Sequence, residues 1–343
     1  MFDFALLKKL CLANGVSGRE DGVRAMIEEE IRPYADEMYV DALGNLIAMK
    51  KGENRAPKKV LFDAHTDEIG FIITGITDEG LLSFSTIGGI NPSVILGRAV
   101  TVGDQNPIDG VIGAKAIHML SPEEREKLPE TDKMYIDIGA MTREEAEAVV
   151  SLGDSAYFKS DYVEFGDGSI AAKAIDDRAG CAALICMMRE PLKYDTWFSF
   201  SVQEEVGGNG GKTAAYSVAP DIAVVAESTA CGDVADAAGN ARVCVYGGGA
   251  VVSFMDRGTI YDKSLYDHAF SVAEKHGIPC QTKTMVAGGN NAHVIDTVRG
   301  GVRVAAVSVP GKYIHSAYNV SHKDDIQAVY DLLCALADTL AEQ

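Results

Sequence analysis

Several short segments of the chain carry side chains that can bind metal ions or move protons. They are His65-Thr66-Asp67, Asp176-Asp177-Arg178, Glu204-Glu205, Glu227 and His315. Two imidazoles and several carboxylates, without a thiolate among them, form a donor set typical of Zn²⁺, Co²⁺ or Mn²⁺ rather than Ca²⁺. A pair of such ions needs one bridging carboxylate and further ligands for each ion. These segments supply enough ligands for a two-metal centre and leave one glutamate of the Glu204–Glu205 pair free to handle protons.

Most of these segments come directly after a predicted buried strand. The strand predictions are Val60–His65, Trp197–Gln203, Ile222–Glu227 and Val302–Pro310. In open α/β sheets, ligands bind beyond the carboxyl ends of the strands. A lone histidine or a glutamate pair is more often a surface or core feature, so each segment alone has little weight. Their convergence on one edge of one sheet is what favours a metal site.

The rest of the sequence predicts the framework that positions these groups. After about residue 171, predicted strands and helices alternate, which indicates a mainly parallel sheet flanked by helices. Between residues 67 and 165, short β-branched runs alternate with glycine, which favours a small β-barrel or sandwich. We therefore predict an α/β fold, with a catalytic domain formed by residues 1–66 and 166–343 and a β-rich insert at 67–165.

Composition and charge exclude several classes of protein. The 343 residues carry a net charge of −19, which argues against nucleic-acid binding. The odd number of cysteines, without a C-x-x-C pair, predicts free thiols in a reducing cytoplasm. No stretch approaches the roughly 18 consecutive apolar residues of a membrane span, and the start of the chain lacks signal-peptide features. We expect a cytoplasmic protein without a nucleic-acid or membrane partner.

Five strings of the sequence resemble the signatures of the M42 metallo-aminopeptidases. They are Asp63-Ala-His65-Thr-Asp67-Glu68-Ile-Gly70, Ala174-Ile-Asp176-Asp177-Arg178-Ala-Gly180, Val202-Gln-Glu204-Glu205-Val-Gly207, Glu227-Ser-Thr-Ala-Cys-Gly-Asp233 and Pro310-Gly-Lys-Tyr-Ile-His315-Ser316. The strings follow the order of the family nearly from end to end. The family includes TET-type aminopeptidases and proteins historically labelled glutamyl aminopeptidase or cellulase M. The resemblance implies a zinc-peptidase-like fold whose insert mediates assembly of a homo-oligomer, often a dodecamer.

The resemblance also implies a role for each residue. The metal ligands would be His65, Asp176, Glu205, Glu227 and His315. Asp176 would bridge two divalent ions, Zn²⁺ or Co²⁺, with Mn²⁺ as an alternative, and Asp177 is the rival for that position. Glu204 would be the general base, and Asp67 would orient a ligand histidine. The implied activity is hydrolysis of the amino-terminal peptide bond of peptides by a water that bridges the two metals.

The chain departs from the family pattern at three places, one of which is Ala317-Tyr318-Asn319, where the family often has an acidic residue. Many members have aspartate where this chain has Glu227, and the longer side chain affects the expected metal spacing. The family commonly shows Gly-Gly-Thr-Asp-Ala where this chain has Gly288-Gly289-Asn290-Asn291-Ala292. We expect the loss of that carboxylate to change substrate contacts or the environment of His315.

Three other functions fit parts of the pattern. A different dinuclear amidohydrolase, such as a carboxypeptidase or deacylase, would need Arg178, Arg303 or Lys312 to hold a substrate carboxylate. An endoglucanase would need two carboxylic groups and no metal, which leaves the histidines without a role. A non-catalytic metal-binding protein would be consistent with Glu227 and with the asparagine pair.

Overall fold

The computed structural model describes residues 1–235 and 237–343. The α-helices are α1 (Phe4–Leu12), α2 (Asp21–Ile31), α3 (Pro122–Arg125), α4 (Arg143–Glu147), α5 (Ile175–Arg189), α6 (Asn209–Val218), α7 (Lys263–His276), α8 (Ala292–Ile295) and α9 (Lys323–Ala337). The β-strands are β1 (Glu37–Val40), β2 (Leu46–Lys50), β3 (Val60–His65), β4 (Gly70–Ile76), β5 (Leu82–Ile87), β6 (Ala99–Val102), β7 (Ile108–Ala114), β8 (Met134–Asp137), β9 (Ser155–Phe158), β10 (Val163–Phe165), β11 (Ser169–Ala172), β12 (Thr196–Ser201), β13 (Ile222–Ala230), β14 (Ala250–Val252), β15 (Cys280–Thr282), β16 (Arg303–Lys312) and β17 (Asn319–His322). Every helix of the described residues is too short or too polar to span a lipid bilayer.

One large sheet forms the centre of the molecule. Its strands follow the order β1-β2-β12-β3-β13-β16-β17-β11-β10, and β14 and β15 extend it from β16. The central strands β12, β3, β13 and β16 are parallel, whereas the strands at both margins are antiparallel. All six residues of β3 are buried, the pattern of a strand with helices on both faces. The predicted α/β fold class is confirmed.

Helices cover both faces of this sheet. The long helix α5 packs against β3 and β13 on one face together with α1 and α9, and all its residues from Ile175 to Met188 are buried. On the other face, α6 and α8 pack against β12, β3 and β13. Because both faces are covered, the edge formed by the carboxyl ends of the parallel strands remains for a functional site.

A closed six-stranded barrel lies in the middle of the sequence. Its strands are connected in the order β4-β5-β8-β7-β6-β9. Phe71 packs edge-on against Phe84 and Phe158 in its interior, with ring centroids 5.2 and 5.1 Å apart. The predicted small β-barrel is therefore present. The chain has returned to the large sheet by Val163, where β10 begins.

Local signals fix the ends of the helices. The carboxylate of Asp3 accepts hydrogen bonds from the backbone N–H groups of Ala5 and Leu6 at the start of α1. Asp262 does the same at the start of α7, which ends at Gly277 with a φ of +66°. Helix α3 was not predicted, although Ser121 and its partner in a capping box stand at its start.

Candidate metal centre

Two groups of metal-ligand side chains lie beyond the parallel strands. The inner triad consists of His65, Asp176 and Glu227, and the outer triad consists of Asp176, Glu205 and His315. Within each triad, one ligand atom from every residue lies within 4.8 Å of the others. Asp176 belongs to both triads, with Oδ1 3.4 Å from Nε2 of His65 and Oδ2 3.5 Å from Nε2 of His315. All five sequence-predicted ligands are therefore brought together.

The separations between these atoms fit metal ions better than hydrogen bonds. Nε2 of His65 lies 3.5 Å from Oε1 of Glu227, and Nε2 of His315 lies 3.3 Å from Oε2 of Glu205. These distances exceed ordinary hydrogen bonds. They match the roughly 3.3–3.5 Å between ligands that each lie about 2.0–2.1 Å from one tetrahedral ion. Oδ1 of Asp176 is buried and has no hydrogen-bond partner among the described residues, which leaves it free for a cation.

Adjacent strands of the large sheet position the inner triad. In the parallel pair β3 and β13, Asp63 lies opposite Val225. His65 and Glu227 each follow two residues later and therefore lie on the same face of the sheet. The sequence interpretation ended the strand at Glu227, but β13 continues to Ala230. Glu227 is consequently held inside a strand and is 5% exposed.

The two aspartates at the start of α5 have different environments. Their dihedral angles are not helical, and the peptide bond between them is cis. Asp177, the predicted rival bridge, belongs to neither triad, and its Oδ1 accepts a hydrogen bond of 3.0 Å from the N–H of Gly180. Of the pair, only Asp176 lies between the two histidines.

A single buried carboxylate, that of Asp67, holds several parts of the site together. Its two oxygens accept hydrogen bonds from the N–H groups of Glu204 and Glu205, at 3.0 and 3.1 Å, and from the hydroxyl of Ser17. Nδ1 of His65 lies 3.1 Å from the carbonyl oxygen of Asp67 and 3.4 Å from its Oδ1. Nε2 of that histidine is thereby directed to the inner triad. Burial alone would raise the pKa of Asp67, but these donors and His65 lower it.

The barrel contributes to the outer triad through a backbone group. Nδ1 of His315 lies 2.9 Å from the carbonyl oxygen of Gly89, which follows β5 of the barrel. A hydrogen bond from Nδ1 leaves Nε2 of His315 available to a metal. His315 itself has a φ of +62°, and its side chain is 38% exposed. Sequence reasoning missed Gly89 and Ser17, which act at long range and belong to no ligand motif.

The charges of the site favour cations. Burial raises the pKa of Glu204 to about 7 and that of Glu205 to about 8, and it raises the pKa of Glu227 well above its ordinary range. Burial alone would lower the pKa of His315, but Asp176 and Glu205 outweigh it and raise that pKa to about 9. Binding of divalent ions to the ligand groups among them would release protons, because a ligand must be deprotonated.

Glu204 differs from the other carboxylates of the site. It belongs to neither triad, and its carboxylate has no hydrogen-bond partner in the described part of the chain. Its pKa responds to the charges of His65, Asp176 and His315, so it lies beside both triads. A carboxylate with this pKa, adjacent to a metal centre but not committed to it, is suited to proton transfer.

Asn291 contacts the strand that carries His65 and Asn290 contacts Tyr261, whereas the expected change in substrate contacts or in the environment of His315 stays a prediction. Nδ2 of Asn291 donates to Oδ2 of Asp63 at 2.8 Å and to Oγ of Ser201 at 2.9 Å. Nδ2 of Asn290 donates to the hydroxyl of Tyr261 at 3.0 Å. Asp63 thus provides a buried carboxylate beneath the site. Its signal in the sequence was a charged residue inside an otherwise apolar strand.

Two of the three cations considered for a substrate carboxylate have other partners. Arg178 is fully buried and donates to the carbonyl oxygens of Thr66 and Leu10 at 2.8 and 2.6 Å. Arg303 begins β16, at the end remote from His315, and donates to Asp262 at 2.8 Å. Neither side chain is available at the metal centre.

Comparisons with known proteins agree with one another. A family model described as M42 glutamyl aminopeptidase matches residues 44–332. Lysyl aminopeptidase of Pyrococcus furiosus is 30% identical, over 99% of this chain and 98% of that protein. A TET aminopeptidase structure from a marine sediment archaeon has a TM-score of 0.94 at 35% identity, over 98% of this chain and 97% of that chain. The Pyrococcus horikoshii TET1 peptidase, described as assembling into a tetrahedron or a large octahedral shell, has a TM-score of 0.86 at 36% identity, over 98% and 99%.

Proposed function

The chain belongs to the M42 glutamyl aminopeptidase family, and from this premise we propose that it is a metal-dependent aminopeptidase acting on the amino-terminal bond of peptides. Membership of this family makes the protein a hydrolase of the peptidase class. The proposal of a two-metal mechanism rests on the position of Asp176, whose Oδ1 lies near His65 and whose Oδ2 lies near His315.

The donor sets support two divalent ions, Zn²⁺ or Co²⁺, with Mn²⁺ as an alternative. His65 and Glu227 would hold one ion, Glu205 and His315 would hold the other, and Asp176 would hold both. When bound, the ions supply Lewis acidity, which polarises the scissile carbonyl and acidifies the attacking water.

The chain's own residues perform the proton transfers in this proposal. Glu204 accepts a proton from the attacking water and delivers it to the leaving amine. Asp67 holds the backbone of Glu204 and the ring of His65 in position. The many carboxylates around the centre favour a substrate that presents a free α-ammonium group. Arg178 and Arg303, two of the three cations considered for a carboxypeptidase, are held by other groups, and Nζ of the third, Lys312, lies 4.3 Å from the centroid of the Tyr246 ring.

Assembly, location and substrate preference are further parts of the proposal. The TET1 relative, described as assembling into a tetrahedron or a large octahedral shell, supports a homo-oligomer, with a dodecamer as the expected form and the barrel as its contact region. The seven cysteines are free thiols, which supports a cytoplasmic location. The preferred first residue does not follow from the family, because the matching model is described as glutamyl and the Pyrococcus furiosus relative as lysyl.

Replacement of the general base tests the mechanism. We expect Glu204→Gln to lower kcat on aminoacyl chromogenic substrates by about 10²-fold or more, since proton transfer contributes about 10²–10⁴-fold. Metal content, measured by elemental analysis, should stay near that of the unmodified protein. Glu274→Gln, on the exposed face of α7, is the control and should keep full activity. Unchanged turnover in Glu204→Gln, or equal cleavage of free-amine and blocked-amine peptides, would contradict the proposal.

A further inference from the structure

One lysine is enclosed by the protein and has no partner for its charge in the part of the chain that the structure describes. Lys283 directly follows β15 and is 7% exposed. Its Nζ has neither a hydrogen bond nor an ion pair within 4.0 Å among the described residues, yet it is not fully sealed from solvent. Ammonium groups are rarely buried without a partner, because losing hydration costs free energy that pairing must offset. An enclosed ammonium without a partner among the described residues is suited to bind an anion that reaches it from solvent.

The sheet places this lysine on the same face as His65 and Glu227, the two residues of the inner triad that belong to strands. Gln281 lies opposite Val251, and Val251 lies opposite Ser308. Ser308 in turn lies opposite Glu227. Neighbours in register share a face of the sheet, and Lys283 follows Gln281 by two residues, so it shares this face as well. The N–H of Lys283 donates to the carbonyl oxygen of the last residue of β14, which extends the register to that position.

The charges near the lysine agree with this placement. Burial lowers the pKa of Lys283, and the carboxylates of Asp256 and Glu227 oppose that effect. The ammonium is therefore within electrostatic range of a ligand of the inner triad, although it forms no ion pair with that ligand.

The carboxylate of Asp256, whose charge acts on Lys283, already accepts hydrogen bonds from other groups. Oδ1 of Asp256 accepts from the N–H groups of Gly258 and Thr259, both at 2.8 Å. Oδ2 of Asp256 accepts from the hydroxyl of Tyr261. The carboxylate of Asp256 thus stabilises the turn that it begins, and Glu227 belongs to the candidate metal centre. The ammonium of Lys283 is left for a group that is not part of the chain.

We propose that Lys283 is a specificity-determining residue that binds the side-chain carboxylate of the substrate's first residue, so that peptides beginning with glutamate or aspartate are preferred. This inference rests on the proposed aminopeptidase function. The carboxylates of the site face the α-ammonium group of such a substrate, while Lys283 faces its side-chain carboxylate. A charge-assisted hydrogen bond formed away from bulk water discriminates strongly against substrates that lack the carboxylate.

The test compares substrates with N-terminal Glu, Asp, Leu and Lys on the metal-loaded, full-length protein. We expect the unmodified protein to prefer Glu and Asp. Lys283→Met should lower kcat/KM for these two by about 10- to 100-fold while changing the value for Leu by less than about 3-fold. Lys283→Glu should shift the preference towards Lys. The melting temperature of Lys283→Met should not fall, because the substitution breaks no ion pair.

Arg257→Met is the matched control, since Arg257 is exposed and its N–H donates to the carbonyl oxygen of Gly288, in the loop that follows Lys283. This variant should keep the preference for acidic residues. The inference is overturned if Lys283→Met keeps the preference, or if the unmodified protein cleaves Leu or Lys substrates better than Glu and Asp. Neither result touches the proposed function, which fails instead if the loaded protein cleaves no aminoacyl substrate at all.

Discussion

His65 and Glu227 belong to adjacent parallel strands of the large sheet, whereas Glu205 and His315 lie in the irregular segments that follow β12 and β16. The side chain of His65 is 2% exposed and that of His315 is 38% exposed. The inner triad is thus fixed by the core of the catalytic sheet. The outer triad depends on a backbone with positive φ and on a carbonyl group of the barrel.

This difference predicts that the two metal sites are unequal. A site held by rigid elements loses little conformational entropy when it binds an ion, whereas a site on loops must also become ordered. We therefore expect the inner ion to be bound more tightly and the outer ion to exchange first. Asp176 belongs to both triads, so we expect its replacement to weaken the binding of both ions alike.

Removal of the shared carboxylate should have the largest effect. Asp176→Asn offers only one oxygen and no charge, so we expect loss of both ions and a fall in kcat/KM of about 10³-fold or more. Metal analysis after dialysis and substrate assays measure the two quantities. Asp177→Asn is the matched control and should retain both ions, because burial already raises the pKa of Asp177 well above its ordinary range. Retention of metal by Asp176→Asn and its loss from Asp177→Asn would assign the bridge to Asp177.

The two histidines should separate the sites. We expect His315→Ala to lose only the outer ion and about 10²-fold in kcat/KM, with little change in melting temperature. His65→Ala should lose the inner ion and also lower the free energy of unfolding by about 2 kcal/mol or more, because a buried side chain is removed. Metal analysis and thermal unfolding distinguish these outcomes. If His315→Ala proved the more destabilising variant, the ranking of the two triads would be reversed.

Features encoded in short stretches of sequence were predicted from it. The apolar run that ends in His65 predicted β3 because a buried parallel strand needs apolar side chains on both faces. The glycine-punctuated runs between residues 67 and 165 predicted the barrel. The five proposed ligands also lie together, as expected from their predicted places near the carboxyl ends of strands or at the start of a helix.

Features that join distant segments were not predicted. The contact of His315 with Gly89 joins residues 226 positions apart, and that of Asn291 with Asp63 joins residues 228 apart. Neither pair has a local pattern, because each hydrogen bond depends on how the strands are arranged. The same applies to Lys283, whose lack of a partner among residues 1–235 and 237–343 becomes visible only when its surroundings are known. Short strands such as β14 and β15 carry too few residues for a periodicity.

A smaller change in the barrel tests whether the insert supports the outer triad. Gly88 has a φ of +79°, and a Cβ there would lie 2.6 Å from Cγ2 of Ile69 and 3.3 Å from Cβ of Glu205. We expect Gly88→Ala to displace the loop whose carbonyl group contacts His315 and to lower the affinity for the outer ion by about 10-fold. An alanine at positive φ costs about 1 kcal/mol before its close contacts are counted. Gly97→Ala is the control, with a φ of +76° in open space. Equal metal affinity in the two variants, measured by titration with a chelator, would show that the barrel leaves the outer triad unaffected.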